Sequence, residues 1–263
     1  MKSVLIIKLG ALGDVAMASA MLPALRQKYP DIHITWMAGQ GVAVLLSLLV
    51  PPPQKIITID EKKLFHGNPI SRFYEIAKAN FALLGKKIDL CLVPYRDKRY
   101  HLLHAAAQSS LVLDFSQPQW LVPGHYHARE CLRLALGDAM DSSQEISFPH
   151  IALPASSRHE AAPDILLAPG GAKNALADDN LRRWPLQHYA ALAKMLIDAG
   201  HRVGLIGNKD DAWTLPSFDG IPVTSYIGKT NLIELLGLLK SAQVLITHDT
   251  GPMHLMRLLD GKM

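Results

Sequence analysis

Short continuous apolar runs alternate along the chain with apolar positions at helical spacing, and glycine or proline stands at many of the junctions. The run Ser3 to Ile7 is β-branched and leucine-rich, which predicts a strand covered on both faces, as in a parallel sheet. Gly10 and Gly13 follow in a loop, and Val15 to Lys28 then places Met17, Met21, Leu22 and Leu25 on one side of a helix. The same alternation predicts strands at His33 to Met37, Lys55 to Ile59, Ile88 to Val93 and Leu111 to Leu113. Between them it predicts helices at Gly41 to Leu49, Ile70 to Leu84, Tyr100 to Ala107 and His125 to Leu136. Pro51-Pro52-Pro53 stops the first of these four and Gly137 the last.

Phe148 to Pro163 breaks the alternation with three prolines and the polar run Ser156 to Glu160, which reads as a linker with room for one edge strand at Ile151 to Leu153. The pattern then restarts. Strands are predicted at Asp164 to Leu167, Arg202 to Ile206, Val223 to Tyr226 and Val244 to Thr247. Helices are predicted at Leu186 to Ala199, closed by Gly200, and at Asn231 to Lys240, where Asn231 and Glu234 have capping-box spacing. Strand–helix alternation on both sides of a linker implies an α/β protein of two doubly wound domains, residues 1–150 and 164–263.

Candidate chemistry gathers where strands end. After Val244 to Thr247 comes His248-Asp249-Thr250-Gly251-Pro252-Met253-His254, a strand-to-helix turn in which Pro252 suits a helix start and Asp249 or Thr250 can cap it. Unpaired N–H groups and the positive end of a helix dipole make such a turn a site for a diphosphate, though it also fits an ordinary capped turn. Pro169-Gly170-Gly171, after another strand, lets backbone approach a ligand with no Cβ in the way. Asp14 closes the first glycine loop, either as a helix cap or as a carboxylate at the mouth of a sheet that takes a proton from a hydroxyl. Tyr95 to Tyr100, with Arg96 and Arg99, follows a strand end, where open α/β sheets hold ligands, and reads equally as a solvated loop.

Three stretches in order, Lys8-Leu9-Gly10-Ala11-Leu12-Gly13-Asp14, Ala168-Pro169-Gly170-Gly171 with Arg182-Arg183-Trp184-Pro185, and Asp249-Thr250-Gly251-Pro252-Met253-His254, resemble the signatures of glycosyltransferase family 9, the heptosyltransferase-like enzymes of lipopolysaccharide synthesis. The resemblance implies two facing Rossmann-like domains of the GT-B type, the first on the acceptor side and the second binding a nucleotide-sugar donor. It implies inverting, metal-independent transfer of a sugar, a heptose from an ADP-heptose-like donor, to a lipopolysaccharide-core-type acceptor, with no cofactor. Asp14 takes the place of the family's proposed general base, with Gly10, Gly13, Arg96 and Arg99 on the acceptor side. Gly170, Gly171, Arg182, Asp249, Thr250, Gly251 and His254 match donor positions, with Arg182 standing where the family usually has a lysine. Either Asp210 or Asp211 stands near the place of an acidic residue beside the donor ribose. Relatives continue beyond the last helix, so the resemblance also implies an incomplete second domain. The alternative reading is therefore a weak or inactive truncated homologue that retains nucleotide-sugar binding.

Composition narrows the rest. Net charge is +4 with basic residues scattered, which argues against a nucleic-acid partner and suits anionic substrates or peripheral contact with an anionic membrane face. Cys91 and Cys131 lack metal-ligand spacing and read as free thiols of a reducing, cytoplasmic compartment. Met1-Lys2-Ser3 runs straight into a strand, which reads as no signal peptide, and the longest apolar stretch, Val42 to Val50, is too short to span a bilayer. His101, His104, His125 and His127 fall on separate elements without a carboxylate at ligand spacing, so no metal site is expected. The missing Gly-x-Gly-x-x-Gly argues against a nucleotide-dependent oxidoreductase.

Overall fold

The computed structural model describes residues 1–121, 126–137, 145–155, 162–171 and 180–259. The chain divides into two compact units, Met1–Pro149 and His150–Met263.

In the first unit, strands β1 (Ser3–Ile7) and β2 (His33–Gly39) are separated by helices α1 (Leu12–Ala18) and α2 (Met21–Lys28). Where one helix was expected, two form. Pro23 lies in the first turn of α2, has no N–H to donate and would drive its ring into the carbonyl of Ser19, so the helix breaks and restarts there. Helix α3 (Gln40–Leu48) and the two-residue strand β3 (Leu49–Val50) lead to β4 (Lys55–Ile59). Two helices follow: α4 (Glu61–His66), which the periodicity did not reveal, and α5 (Pro69–Leu83). Helix α5 starts as its sequence dictates, with Pro69 at the first turn and the Asn68 side chain accepting the Ser71 N–H at 2.8 Å. Strand β5 (Lys87–Val93), a 3₁₀ turn at Lys98–His104 in place of the expected α-helix, β6 (Gln108–Asp114) and α6 (His127–Leu136) complete the unit. His125, the expected start of α6, lies outside the described residues.

These strands form one parallel sheet in the order β4-β2-β1-β5-β6, with Ile6 beside Trp36 and Leu5 beside Cys91 in register. Residues Val4 to Ile7 are fully buried, as a strand covered on both faces requires. One face packs on Ala79 and Leu83 of α5 and on Tyr100 and Leu103 of the 3₁₀ turn. Helix α6 packs against α1 and α2, around Ala20, Ala128 and Leu132.

The second unit opens with the short strand β7 (His150–Ile151), within the stretch expected as linker. Strands β8 (Ile165–Ala168), β9 (Val203–Leu205), β10 (Thr224–Ser225) and β11 (Val244–Thr247) form a parallel sheet in the order β10-β9-β8-β11. Helices α7 (Leu186–Asp198), α8 (Leu232–Ser241) and α9 (Gly251–Leu258) and a 3₁₀ segment at Lys209–Phe218 fill the connections. Asn231 and Glu234 form the capping box their spacing predicted, each side chain accepting the other's backbone N–H at 3.0 and 2.7 Å. The core centres on Leu167, Leu205, Tyr189 and Ala193. Residues 260–263 lie outside the described residues.

Candidate active site

Strand order decides where each unit can hold a ligand. In the first sheet the chain builds outward from β1 to β2 and β4, then returns to the other side of β1 to lay down β5 and β6. The loops after β1 and β5 therefore leave in opposite directions and open a crevice between them, the usual ligand position of an open parallel sheet.

That crevice holds a buried cation. The Lys8 side chain is fully buried, and its ammonium meets the Asp14 carboxylate at 2.7 Å. It also lies 4.6 Å from the centre of the Tyr95 ring, a cation–π distance. A buried ammonium is costly without a counter-charge, so this pair fixes both the lysine and the carboxylate. Asp14 is not the helix cap: Ala11 takes that position, Asp14 stands in the first turn of α1, and its side chain stays 39% exposed. Its carboxylate is therefore braced by a buried charge and partly exposed.

Glycine makes the room. A Cβ on Gly10 would lie 2.7 Å from Glu61 Oε1, and one on Gly39 would collide with the same carboxylate and with the Leu9 carbonyl. Glu61, the first residue of α4, thus fills the space that two glycines leave. Burial pushes its carboxyl above the usual range, against the pull of Lys8. Gly13 is buried within α1. Arg99 is committed to Asp97, with Nε at 3.0 and 2.9 Å from the two carboxylate oxygens, and lies over the Phe65 ring at 4.5 Å. Arg96 is exposed. Of the basic residues expected on this loop, Arg99 is therefore structural, and Lys8 is the cation that meets Asp14.

The second sheet reverses between β8 and β11, and the loops after these two strands are the ones whose sequences stood out. Gly171 has φ +83°, and a Cβ there would lie 2.8 Å from Thr250 Cγ2, so the two loops touch at a point where only glycine fits. The Gly171 N–H donates to Asp211 Oδ1 at 2.7 Å, and the Gly171 carbonyl accepts from Arg183 Nε at 2.9 Å. The glycine loop was expected to offer N–H groups to a ligand, but that of Gly171 is used internally. Asp211, buried, also accepts the Asn208 N–H at 2.8 Å and fills the space beside Gly170 and Gly207. It is a brace, whereas Asp210 is exposed.

Arg182, Asp249 and His254 meet at the start of α9. Asp249 accepts from Arg182 Nη1 at 3.0 Å and lies 3.2 Å from His254 Nε2, with Arg182 and Asp249 both about half exposed. Thr250 occupies the N-cap position, yet its side chain does not cap the helix; its hydroxyl bonds that of Thr247 at 2.9 Å. The helix starts at Gly251 with Pro252 behind it, so the positive end of its dipole sits beside the Arg182–Asp249 pair. Alongside, Pro169, Arg183, Trp184, Pro185, Leu186 and Trp213 line a cleft of about 300 Å3. Arg183 lies over the Trp213 ring at 5.1 Å, and Trp184 packs on Tyr189 with ring centres 4.9 Å apart. Trp184 is 42% exposed and forms a wall of the cleft. Behind it Tyr189 bonds His248 Nδ1 at 3.1 Å, and burial lowers the proton affinity of that imidazole.

Among the described residues no three His, Cys, Asp or Glu side chains are grouped as a metal site, and no helix is long and apolar enough to cross a membrane. Cys91 and Cys131 are free and buried, and burial pushes both thiols up, that of Cys91 to about 12.

The model of glycosyltransferase family 9 (heptosyltransferase) matches residues 101–262. The chain belongs to this family. Lipopolysaccharide heptosyltransferase 2 of Salmonella typhimurium is 25% identical over 98% of this chain and 80% of its own. Among solved structures, a family 9 glycosyltransferase from Veillonella parvula matches 99% of the chain and 78% of its own, with TM-score 0.80 at 19% identity. An E. coli heptosyltransferase solved with ADP-2-deoxy-2-fluoro heptose matches 98% of the chain and 86% of its own, with TM-score 0.71 at 19% identity. The protein is thus a glycosyltransferase of two Rossmann-like parts, shorter than these relatives. Lys8 escaped assignment from sequence because it acts through burial, which a single chain does not display, and the choice between Asp210 and Asp211 stayed open for the same reason. Lys8 does stand inside the first quoted motif, and a lysine directly after an apolar strand is the signal that could have found it.

Proposed function

We propose that this family 9 glycosyltransferase moves a heptose from an ADP-heptose-like donor to a lipid-linked, lipopolysaccharide-core-type saccharide, with inversion and without a metal. The observation that carries the reading is the convergence of Arg182, Asp249, His254 and the start of α9 at the switch point of the second sheet. A nucleoside diphosphate leaving group gains negative charge as the sugar–oxygen bond breaks, and preformed cations beside a helix N-terminus stabilise that charge. Arg182 presents a planar fork that matches phosphate oxygens. The adjacent cleft between Trp184 and Trp213 offers flat apolar walls for the nucleoside, in the size range of small-molecule sites.

Asp14 is the base. It takes the proton of the acceptor hydroxyl as that oxygen attacks the anomeric carbon on the face opposite the diphosphate. The new carbon–oxygen bond forms as the old one breaks, and the electron pair leaves with the phosphate oxygen. Lys8 is a positioning residue that fixes the carboxylate. The first unit is the acceptor side and the second the donor side. The acceptor's lipid places the reaction at the cytoplasmic membrane face, which the protein meets peripherally.

Calorimetric titration with ADP, adenosine and NAD tests the donor half: ADP should bind more tightly than adenosine, and NAD should not compete. Turnover with ADP-heptose in the presence of EDTA, with the product anomer read by NMR, tests the chemistry. Retention of configuration, or loss of turnover in EDTA that a divalent ion restores, would overturn it.

A further inference from the structure

Helix α5 is apolar on two faces. One packs on the first sheet through Ala79 and Leu83. The other carries Ile70, Phe73, Tyr74 and Phe81, with Leu84 just beyond the helix end, at 81%, 72%, 62%, 82% and 67% exposure. At 3.6 residues per turn these five fall within an arc of roughly 100°, so they form one stripe and not scattered surface residues. The stripe runs about 20 Å along the helix at 1.5 Å per residue. Large exposed side chains in a continuous band mark a surface that something covers.

Charge says what covers it. Lys78 flanks the stripe half-exposed, and Lys62, Lys63, Lys86 and Lys87 are exposed in the segments just before and after α5. The acids of the same region are turned inward or engaged. Glu75 is 2% exposed and accepts the Asp60 N–H at 3.0 Å, Glu61 fills the glycine pocket of the crevice, Asp60 caps α4 beside Lys63, and Asp89 accepts the N–H groups of Lys2 and Ser3. The outward face is therefore apolar along its middle and positive at its rim. A second copy of this chain would bring the same cations against each other, whereas an anionic bilayer complements both features.

We infer that the outer face of α5 is the element by which this protein docks on an anionic lipid surface, with Phe73, Tyr74 and Phe81 entering the headgroup–acyl boundary and the surrounding lysines meeting lipid phosphates. The inference rests on the proposed lipid-linked acceptor for its purpose. Parallel β–α topology sets the Ile70 end of α5 near the carboxyl edge of the sheet, where Asp14 sits, so docking brings the crevice of the first unit toward the membrane.

The full chain is sedimented with phosphatidylcholine vesicles with and without phosphatidylglycerol. Binding is expected only with the anionic lipid, weakening as salt rises. Phe73→Ser/Phe81→Ser should reduce it about tenfold or more, and Lys86→Glu/Lys87→Glu several-fold, with unchanged circular-dichroism melting and ADP affinity. Because the stripe is exposed, these changes leave the core intact. Tyr74→Trp supplies a readout with the stripe apolar: its emission should shift to the blue on anionic vesicles. Equal binding of wild type and the Phe73→Ser/Phe81→Ser variant, unshifted Trp emission, or a wild-type dimer that the same double change dissociates would overturn the inference. Turnover on a delipidated, water-soluble acceptor depends on the proposed chemistry alone, so its failure and a failure of docking are told apart.

Discussion

The two units solve one problem in opposite electrostatic senses. Each has a parallel sheet whose order reverses beside its first long strand, and each puts a glycine loop at that point. In the first, the cation is beneath the loop: Lys8 is buried and the exposed partner is the Asp14 carboxylate. In the second, the buried group is an acid, Asp211, which braces the Gly171 loop, and Arg182 pairs with the half-exposed Asp249. A buried cation under a half-exposed carboxylate suits proton removal, while a half-exposed guanidinium beside a helix N-terminus suits an anion. On the proposed reading, the same backbone plan serves a base in one unit and a phosphate site in the other.

The sharpest way to break this comparison is at the first site. Asp14→Asn should lower kcat by about a hundred- to ten-thousand-fold, the usual contribution of a general base, with ADP affinity unchanged. Near-normal turnover in a folded Asp14→Asn protein would remove the base from the first unit. Lys8→Met, which keeps volume and drops the charge, should lower kcat by a smaller factor and leave ADP binding alone; a loss confined to ADP affinity would show that Lys8 serves the donor.

At the second site the buried partner matters most for folding. Asp211→Ala leaves the N–H groups of Gly171 and Asn208 without their acceptor and should cost roughly 1–3 kcal/mol in urea denaturation. A smaller effect is expected from Arg182→Ala. The side chain is half exposed, so solvent screens it, and ADP affinity should fall about tenfold, less than a buried ion pair would give. Adenosine affinity should hardly move; equal losses for both ligands would take Arg182 away from the phosphates.

Sequence carried the framework far. The strand runs and the three loop motifs placed the switch points because a parallel strand must be apolar on both faces and a close-packed loop must be glycine. What it missed has three physical causes. Pro23 split the first predicted helix, since a proline in an amphipathic run does not by itself say whether the helix kinks or restarts. Lys98 to His104 forms a 3₁₀ turn capped by Asp97, a local bond that competes with α-helix over a short span. Burial of charge at Lys8, Glu61 and Asp211 depends on elements far apart in the chain, so their roles became visible only in three dimensions. The outward stripe of α5 was present in the sequence as surplus apolar residues in a helix that needs only one buried face.

The smallest expected effect tests a half-buried acid of the first unit, Glu61. Burial raises the Glu61 carboxyl above its usual value, although Lys8 pulls the other way. The sign follows from linkage. An acid whose folded value is raised binds its proton more tightly folded than unfolded, so its contribution is favourable at low pH and is lost as pH rises through the folded value. At neutral pH the ionised Glu61 therefore weakens the fold relative to an uncharged residue of the same shape. Glu61→Gln should raise the melting temperature at pH 7, and the gain should vanish once pH falls below the ordinary carboxylate range, where both proteins are neutral at this position. Lys8 keeps its Asp14 partner in the variant, so the cation is not left alone. A lower melting temperature at pH 7 would mean that Glu61 serves as a second counter-charge for Lys8. The first site would then be a lysine held between two carboxylates, and Asp14 would share its ammonium.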